Sequence, residues 1–480
     1  MLLLKLVDHG LGFISTLILV RLLSPIDFGI VAMGLAFVFM AELLVAFGFD
    51  IALIQHPNPT EEHYHTAWTC NVLLGFTITV LLLAVAWPVA DFYRQTAVFW
   101  VLCALAFGPL FASLENIGII KFRKELLFRK EFTFRTSRRL IAFIVTLPLA
   151  FWLRSYWALV AGVLMTKLGG SALSYVAHEF RPRFCLTKVK ELFGFSKWLL
   201  INNIVCFFKE RSTDFVIGRL HGPASLGLYN ISYEIANMPT TDLSASINRA
   251  LLPGFAKIET ENELQTIYGN AMGVLALLAL PAAAGVYAVA PFLVPVALGV
   301  KWMESTVLVE ILAFNGAVIL FHSSIGAVLM ARGYPSDMTK TNVLYVLLLL
   351  GMLAAFVPSH GAAGAASAAL ATSVMMTPVF LYLIKQRIGV AAERFARAII
   401  RPALASILMA LIVRWALPDY ERSMAMEHAA YLLIGGVVLG ATVYAGAVGL
   451  LWMMAGRPDS AERHVLTRIR TPVLTLFSRL

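Results

Sequence analysis

The sequence predicts an all-α integral membrane protein of about 14 transmembrane helices, as two pseudo-symmetric six-helix lobes around a central cavity plus two C-terminal helices. Three observations carry that expectation. Of the 480 residues, 59% are hydrophobic and only 14% are charged, whereas soluble chains carry roughly a quarter charged residues. Apolar runs of about 20 residues, enough to cross about 30 Å of hydrocarbon as helix, recur from end to end. Finally, "RLLSPIDFG" from Arg21 reappears at one fixed offset as "RLHGPASLG" from Arg219, with Arg, Leu, Pro and Gly shared.

The apolar runs lie near 2–20, 27–48, 66–90, 96–115, 138–153 and 156–178, then near 195–219, 223–252, 265–289, 305–331, 337–357 and 362–384. Two more follow near 397–417 and 427–455. The stretch "ALPAAAGVYAVAPFLVPVALGV" is interrupted by Pro281, Pro291 and Pro295, so it reads as one span or two. The first run has a signal peptide's length, but Asp8 and His9 break it and no small-residue cleavage site follows, so a retained span is expected. The organisation read from this order is a lobe at 1–180, a cytoplasmic linker at 181–194, a second lobe at 195–390, two extra helices at 391–456 and a basic cytoplasmic tail at 457–480.

Charge sets the orientation. The net charge of +10 could suit nucleic acid, and "KFRKELLFRKEFTFRTSRR" from Lys121 does interleave basic and aromatic residues. With the N-terminus inside, however, most of the Lys and Arg fall in cytoplasmic segments: 121–139, 181–197, 385–401 and the tail from Arg457. That is the positive-inside bias of a multi-pass membrane protein with both termini in the cytoplasm, its basic clusters meeting anionic headgroups. No nucleic-acid partner is expected. Cys70, Cys103, Cys185 and Cys206 lack metal-ligand spacing and are expected to pack.

Polar residues form stripes on the apolar helices. Each charge at a helix centre costs at least about 2.5 kcal/mol, so such residues face protein or water. On the seventh span Ser196, Asn203, Glu210 and Asp214 fall within about 40° of one another, with Arg211 at the edge of the stripe near Asp214. Lys209 points elsewhere. On the eighth, Asn230, Glu234, Asn237, Thr241, Ser244 and Asn248 make one continuous face, Arg249 flanks it, and Pro239 is expected to kink the helix. On the sixth, Lys167, Ser171, Ser174 and His178 share an arc, as do Asp8, Gly12 and Ser15 on the first. Two readings stand side by side: hydrogen-bonded helix packing, or the wall of a hydrated cavity.

No enzyme site declares itself. His56, His63 and His65 lie in what reads as a short loop and match no strong zinc motif, so no metal is expected. There is no P-loop, and "GAAGAASAAL" from Gly361 suits close helix packing. A sizeable outer loop, on which a membrane glycosyltransferase or polymerase builds its site, is not visible.

The two RLxxPxxxG stretches are six spans apart, so both fall in outward-facing turns of a parallel repeat, shaped by Pro and Gly. Their arginines are expected to anchor in outer headgroups. "RLLSPIDFGIVAM", "AFGFDIALIQ" and "IGRLHGPASLGLYNISYEIANMPTTDLSASINRALLPGFAKI" resemble the bacterial oligosaccharide flippases of O-antigen and exopolysaccharide assembly, in the multidrug/oligosaccharidyl-lipid/polysaccharide exporter superfamily. The resemblance covers essentially the whole chain. It implies two six-helix lobes with two added helices, a central cavity open alternately to either side, and a cargo of oligosaccharide on undecaprenyl diphosphate moved to the periplasmic leaflet. One departure is that this chain enters its first span almost at once, which leaves the true start open upstream.

On that reading Lys167, Arg211 and Arg249 meet the diphosphate, and Asn203, Asn230, Asn237 and Asn248 meet sugar hydroxyls. Glu210, Asp214 and Glu234 balance charge or carry a coupling H+ or Na+. No cofactor is expected beyond that gradient, and a polysaccharide polymerase and export machinery are the partners to look for. The alternatives are a multidrug or cation antiporter of the same superfamily, whose cavity would be dominated by unpaired acids and aromatics, and a membrane enzyme of polysaccharide polymerisation. A scaffolding protein would not need the polar stripes.

Overall fold

The computed structural model describes residues 12, 14–43, 49–56, 58–193, 197–256, 260–390, 392–456, 458 and 461–463. Regular structure among them is helical throughout. Helix α1 (14–22) leads into a turn at Ser24 that opens α2 (Pro25–Leu43). There the Ser24 N–H and hydroxyl donate to Asp27 Oδ2 at 2.9 and 2.6 Å, and the Asp27 N–H points back to Ser24 Oγ at 3.4 Å. Pro25 takes the first helical position, where its missing N–H costs no hydrogen bond. The second oxygen of Asp27 accepts the Tyr156 N–H at 2.9 Å, which ties this turn to a later one.

Helices α3 (Phe49–Gln55), α4 (Glu61–Tyr93), α5 (Thr96–Leu105), α6 (Phe107–Ser113) and α7 (Ile120–Lys124) follow, then α8 (Phe128–Leu153), α9 (Trp157–Ala177) and α10 (Val189–Phe193). After them come α11 (Lys197–Ala256), α12 (Glu261–Ala297), α13 (Ser305–Ala331), α14 (Pro335–Ile388), α15 (Ala392–Ala416) and α16 (Met426–Met454). Ten stretches of this series, α5 and α6 counting together, are long and apolar enough to cross a membrane. Trp152, Val176, Trp415 and Met454 are more than 80% exposed. The chain is a multi-pass membrane protein, because an apolar surface of this kind is stable in lipid and prone to association in water.

Several boundaries differ from the sequence reading for physical reasons. Helix α8 starts at Phe128, well before the apolar run at 138, so the basic segment is helix rather than loop. Helix α4 starts at Glu61 because Thr60 and His63 cap it reciprocally, which places His63 and His65 on a helix and not in a loop. Helix α12 runs through Pro281 and Pro291 to Ala297, as prolines can in membrane helices when neighbours re-satisfy the freed carbonyls. The break inside α11 does fall where the sequence separates the spans 195–219 and 223–252: Gly222 has φ +76° and ψ −173°, which suits glycine alone. Helix α14 breaks likewise at Gly361, between the spans expected at 337–357 and 362–384.

Packing groups the chain into two compact units, Met1–Gly227 and Leu228–Leu480. In the first, α8 pairs with α9, while α4 packs on α5 and α6. A cluster of Phe49, Leu53, Tyr64, Trp68, Ile117 and Ile120 joins α3, α4 and α7, and a second of Leu19, Leu23, Ala150 and Ala158 lies at the α1–α2 turn. In the second unit α12 packs on α13 and α15, and α13 on α14. Ala284, Ala288, Val289, Met409, Ala410 and Val413 form a core there. Compactness therefore assigns the first stretch of α11 to the N-terminal unit.

Candidate functional site

The helical extension of α8 gives the basic segment a register. Arg135, Arg138 and Arg139 stand at i, i+3 and i+4, so they share one side of the helix. With Arg123 of α7 they line a cavity of about 550 Å³ that also takes in Asn71, Ser113 and Thr166 from α4, α6 and α9. Two carboxylates enter it. Glu131 accepts from Arg123 and Arg135, each at 2.9 Å, and Glu115 faces Arg138 at 3.4 Å. The alkyl chain of Arg138 lies against Gly170 of α9, where no side chain stands in its way. Four guanidiniums against two carboxylates leave the cavity positive. Planar guanidinium forks suit phosphate oxygens, and the amide and hydroxyls beside them suit sugar hydroxyls.

A second polar group lies along α2. Arg211 donates to Asp214 at 3.2 Å and stacks over the Phe39 ring at 4.8 Å. Asp214 is 3% exposed, so the guanidinium supplies it a counter-charge where water is scarce. Phe37 packs edge-on against Phe215 at 5.2 Å and Tyr93 at 5.8 Å. One turn beyond Phe39, Glu42 meets Lys167 of α9 at 3.4 Å. Both groups draw on α9, the cavity through Thr166 and the ion pair through the next residue, Lys167.

Of the residues singled out by sequence, Lys167, Arg211 and Asp214 lie in these ion pairs. Asn203 is half-buried and Glu210 is exposed. In the second unit Asn230 is half-buried and Glu234 exposed, while Asn237 is buried. The Asn237 amide donates to the Tyr233 carbonyl at 2.8 Å and its oxygen fills the space that Gly316 leaves on α13, a packing arrangement. Asn248 and Arg249 lie on described helix, but their side chains, like Ser196 and Asp8, fall outside the described residues. On α9, Ser174 accepts the Asn116 N–H at 2.8 Å and donates to the Ser171 carbonyl, and His178 accepts the Phe180 N–H at 2.9 Å. That stripe fastens the turn at Asn116 to the end of α9.

Sequence reasoning missed Glu42, Phe39, Glu115, Glu131 and the cavity arginines. The signal for the arginines was present: carrying the helical period back from Leu140 to Phe128 aligns Arg135, Arg138 and Arg139 with Glu131. Glu42 and Phe39 carried none beyond an acid at the end of an apolar run.

A family model described as "Polysaccharide biosynthesis protein" matches residues 18–307. The lipopolysaccharide biosynthesis protein WzxC of Escherichia coli (strain K12) is 25% identical over 423 residues, 85% of this chain and 84% of that one. The teichuronic acid biosynthesis protein TuaB of Bacillus subtilis (strain 168) is 24% identical over 90% of this chain and 88% of its own length. The succinoglycan biosynthesis transport protein ExoT of Rhizobium meliloti (strain 1021) is 23% identical over 91% and 88%. Among solved structures, the lipid II flippase MurJ in an inward closed conformation superposes with a TM-score of 0.76 at 12% identity, covering 95% of this chain and 99% of that one. An inward-facing multidrug resistance MATE family transporter of the MOP superfamily gives 0.54 at 14% identity, over 78% and 91%. These likenesses show the fold.

Proposed function

The chain belongs to the polysaccharide biosynthesis protein family, and we propose that it is a flippase that carries lipid-linked oligosaccharide across a bilayer. The cargo on this reading is an undecaprenyl-diphosphate-linked unit, moved by alternating access from the cytoplasmic to the periplasmic leaflet of the inner membrane for exopolysaccharide or lipopolysaccharide assembly. The basic end of the helices is then the cytoplasmic one, as the positive-inside bias requires, and glycan polymerisation consumes the product on the other side.

The observation that carries this reading is the cavity lined by Arg123, Arg135, Arg138 and Arg139. A lipid tail can stay in hydrocarbon throughout the movement, whereas a diphosphate and its sugars cannot. A positive cavity that runs from the helix ends into the span lowers that barrier where the cargo enters. Arg123, Arg135, Arg138 and Arg139 receive the diphosphate, Asn71, Ser113 and Thr166 the first sugar. Lys167 and Arg211 stand further along, each held by an acid that a passing anion can displace.

A cation antiporter of similar fold needs acids able to give up their counter-charge to the transported ion. Glu42, Asp214, Glu115 and Glu131 each face a guanidinium or ammonium instead. The test is to reconstitute the purified protein into vesicles with labelled lipid-linked oligosaccharide in one leaflet. Exchange between leaflets is expected, and Arg138→Ala slows it. Exchange no faster than in protein-free vesicles would sink the reading.

A further inference from the structure

His56, His63 and Glu191 come from the end of α3, the first turn of α4 and the short helix α10, and their ligand atoms all lie within 4.8 Å of one another. We propose that these three side chains bind a divalent transition metal of zinc-like chemistry, which fastens the segment after α9 to the start of α4. Two imidazoles and a carboxylate are a zinc donor set that leaves a fourth position for water.

The spacing fits. His63 Nε2 and Glu191 Oε2 are 2.9 Å apart, and donors about 2.0–2.1 Å from a tetrahedral zinc stand about 3.3 Å apart, so the pair opens by a few tenths of an ångström. The surrounding groups are those that orient ligands. Thr60 Oγ1 lies 2.8 Å from His63 Nδ1 and can accept its proton, which turns the Nε2 lone pair toward the metal. Lys188 holds the other Glu191 oxygen at 2.7 Å, leaving Oε2 to face the histidines.

Without metal, His63 carries its proton on Nε2 and donates it to Glu191 while Nδ1 accepts the Thr60 N–H at 3.2 Å. A metal at Nε2 requires the proton on Nδ1 instead, where it is donated to Thr60 Oγ1 and replaces the bond from the Thr60 N–H. A plain His–Glu pair does not account for His56. Its ring lies 4.7 Å from that of His63, and its buried Nδ1 has no hydrogen-bond partner among the described residues. A third donor without other employment is what distinguishes a ligand set from an ion pair. The reading stands apart from the transport function and would survive its failure.

The experiment is a Zn²⁺ titration of the chelator-stripped, detergent-purified protein against a competing chromophoric chelator, repeated with Co²⁺ to read tetrahedral ligand-field absorption. One equivalent per chain is expected. His56→Gln and Glu191→Gln each weaken binding by at least about tenfold, the scale at which even outer-shell partners act. His65→Ala leaves it unchanged, because that ring is engaged by the Arg183 N–H at 3.0 Å. Glu191 is half-exposed, so its glutamine variant keeps the fold, and its melting temperature without metal should match that of the parent. Absence of a stoichiometric site, or an affinity in either glutamine variant equal to that of the parent, overturns the proposal.

Discussion

Gly29 lies against the backbone carbonyl of Pro223, closer than any side chain could, and Gly227 lies in the same way against the carbonyl of Pro25. These are equivalent positions of "RLLSPIDFG" and "RLHGPASLG", so each copy's glycine receives the other copy's proline. The likeness that marks the repeat in sequence is a contact in space, with local two-fold character. Gly222 and Ser24, also equivalent, are the joints just before the two prolines: one turns by a positive φ, the other by a side-chain cap.

A methyl group at either glycine would fall on a carbonyl that is part of a helix and cannot swing aside. Gly29→Ala and Gly227→Ala should each cost about 1–3 kcal/mol, the usual range for overpacking. The double variant should cost less than the sum, because opening the crossing for one methyl makes room for the other. Gly446→Ala, with no neighbour within reach, serves as the control. Thermal unfolding in detergent reads all four, and strict additivity would refute the shared crossing.

Arg138 and Glu115 should act with opposite signs on anion binding. Removing the guanidinium in Arg138→Ala takes away a charge-assisted hydrogen bond of about 1.5–3 kcal/mol, roughly tenfold or more in affinity. Glu115→Gln releases Arg138 from its 3.4 Å pair and should tighten binding. Calorimetry with inorganic pyrophosphate, and with a lipid-linked analogue in nanodiscs, measures both. A weaker Glu115→Gln would place the anion elsewhere.

The helices were legible because hydropathy is a local property, and the α11 break was signalled by Gly222 and Pro223 together. What needed the structure was the identity of each helix's neighbour. The stripe through Asn237 has the right period for one face, but a period does not say whether water or Gly316 lies opposite. The same ignorance hid Glu42 behind Lys167, far along the chain from it. His56 and His63 were visible as histidines, but Glu191, which gives them meaning, arrives on a different helix.

Arg211 and Asp214 form a pair whose members are unequally exposed, 37% and 4% for the side chains. Arg211→Ala takes the counter-ion from a buried carboxylate, a loss of up to about 3–5 kcal/mol for a fully buried pair and less here because the guanidinium is partly solvated. Arg211→Met with Asp214→Leu should regain most of the melting temperature, since it removes both charges, while flipping stays impaired. Recovery of transport in the double variant would take the pair out of the mechanism.

Cys185 lies in the segment after α9, outside the spans, and Thr187 hydrogen-bonds its sulfur at 3.2 Å. That bond holds the thiol below its ordinary value of 9.0, so the reactive thiolate is reached at lower pH than for an unassisted thiol. Burial pushes the other way and is outweighed. Alkylation of Cys185 near neutral pH should therefore outpace that of Cys70, Cys103 and Cys206, which sit within apolar helices. Thr187→Ala should move the pH profile of labelling upward, toward the ordinary thiol. The same residue reports orientation. With the basic end in the cytoplasm, a membrane-impermeant maleimide labels Cys185 in inside-out vesicles and spares it in intact cells. Labelling from the outside would invert the topology, and with it the direction in which the arginine cavity takes up its cargo.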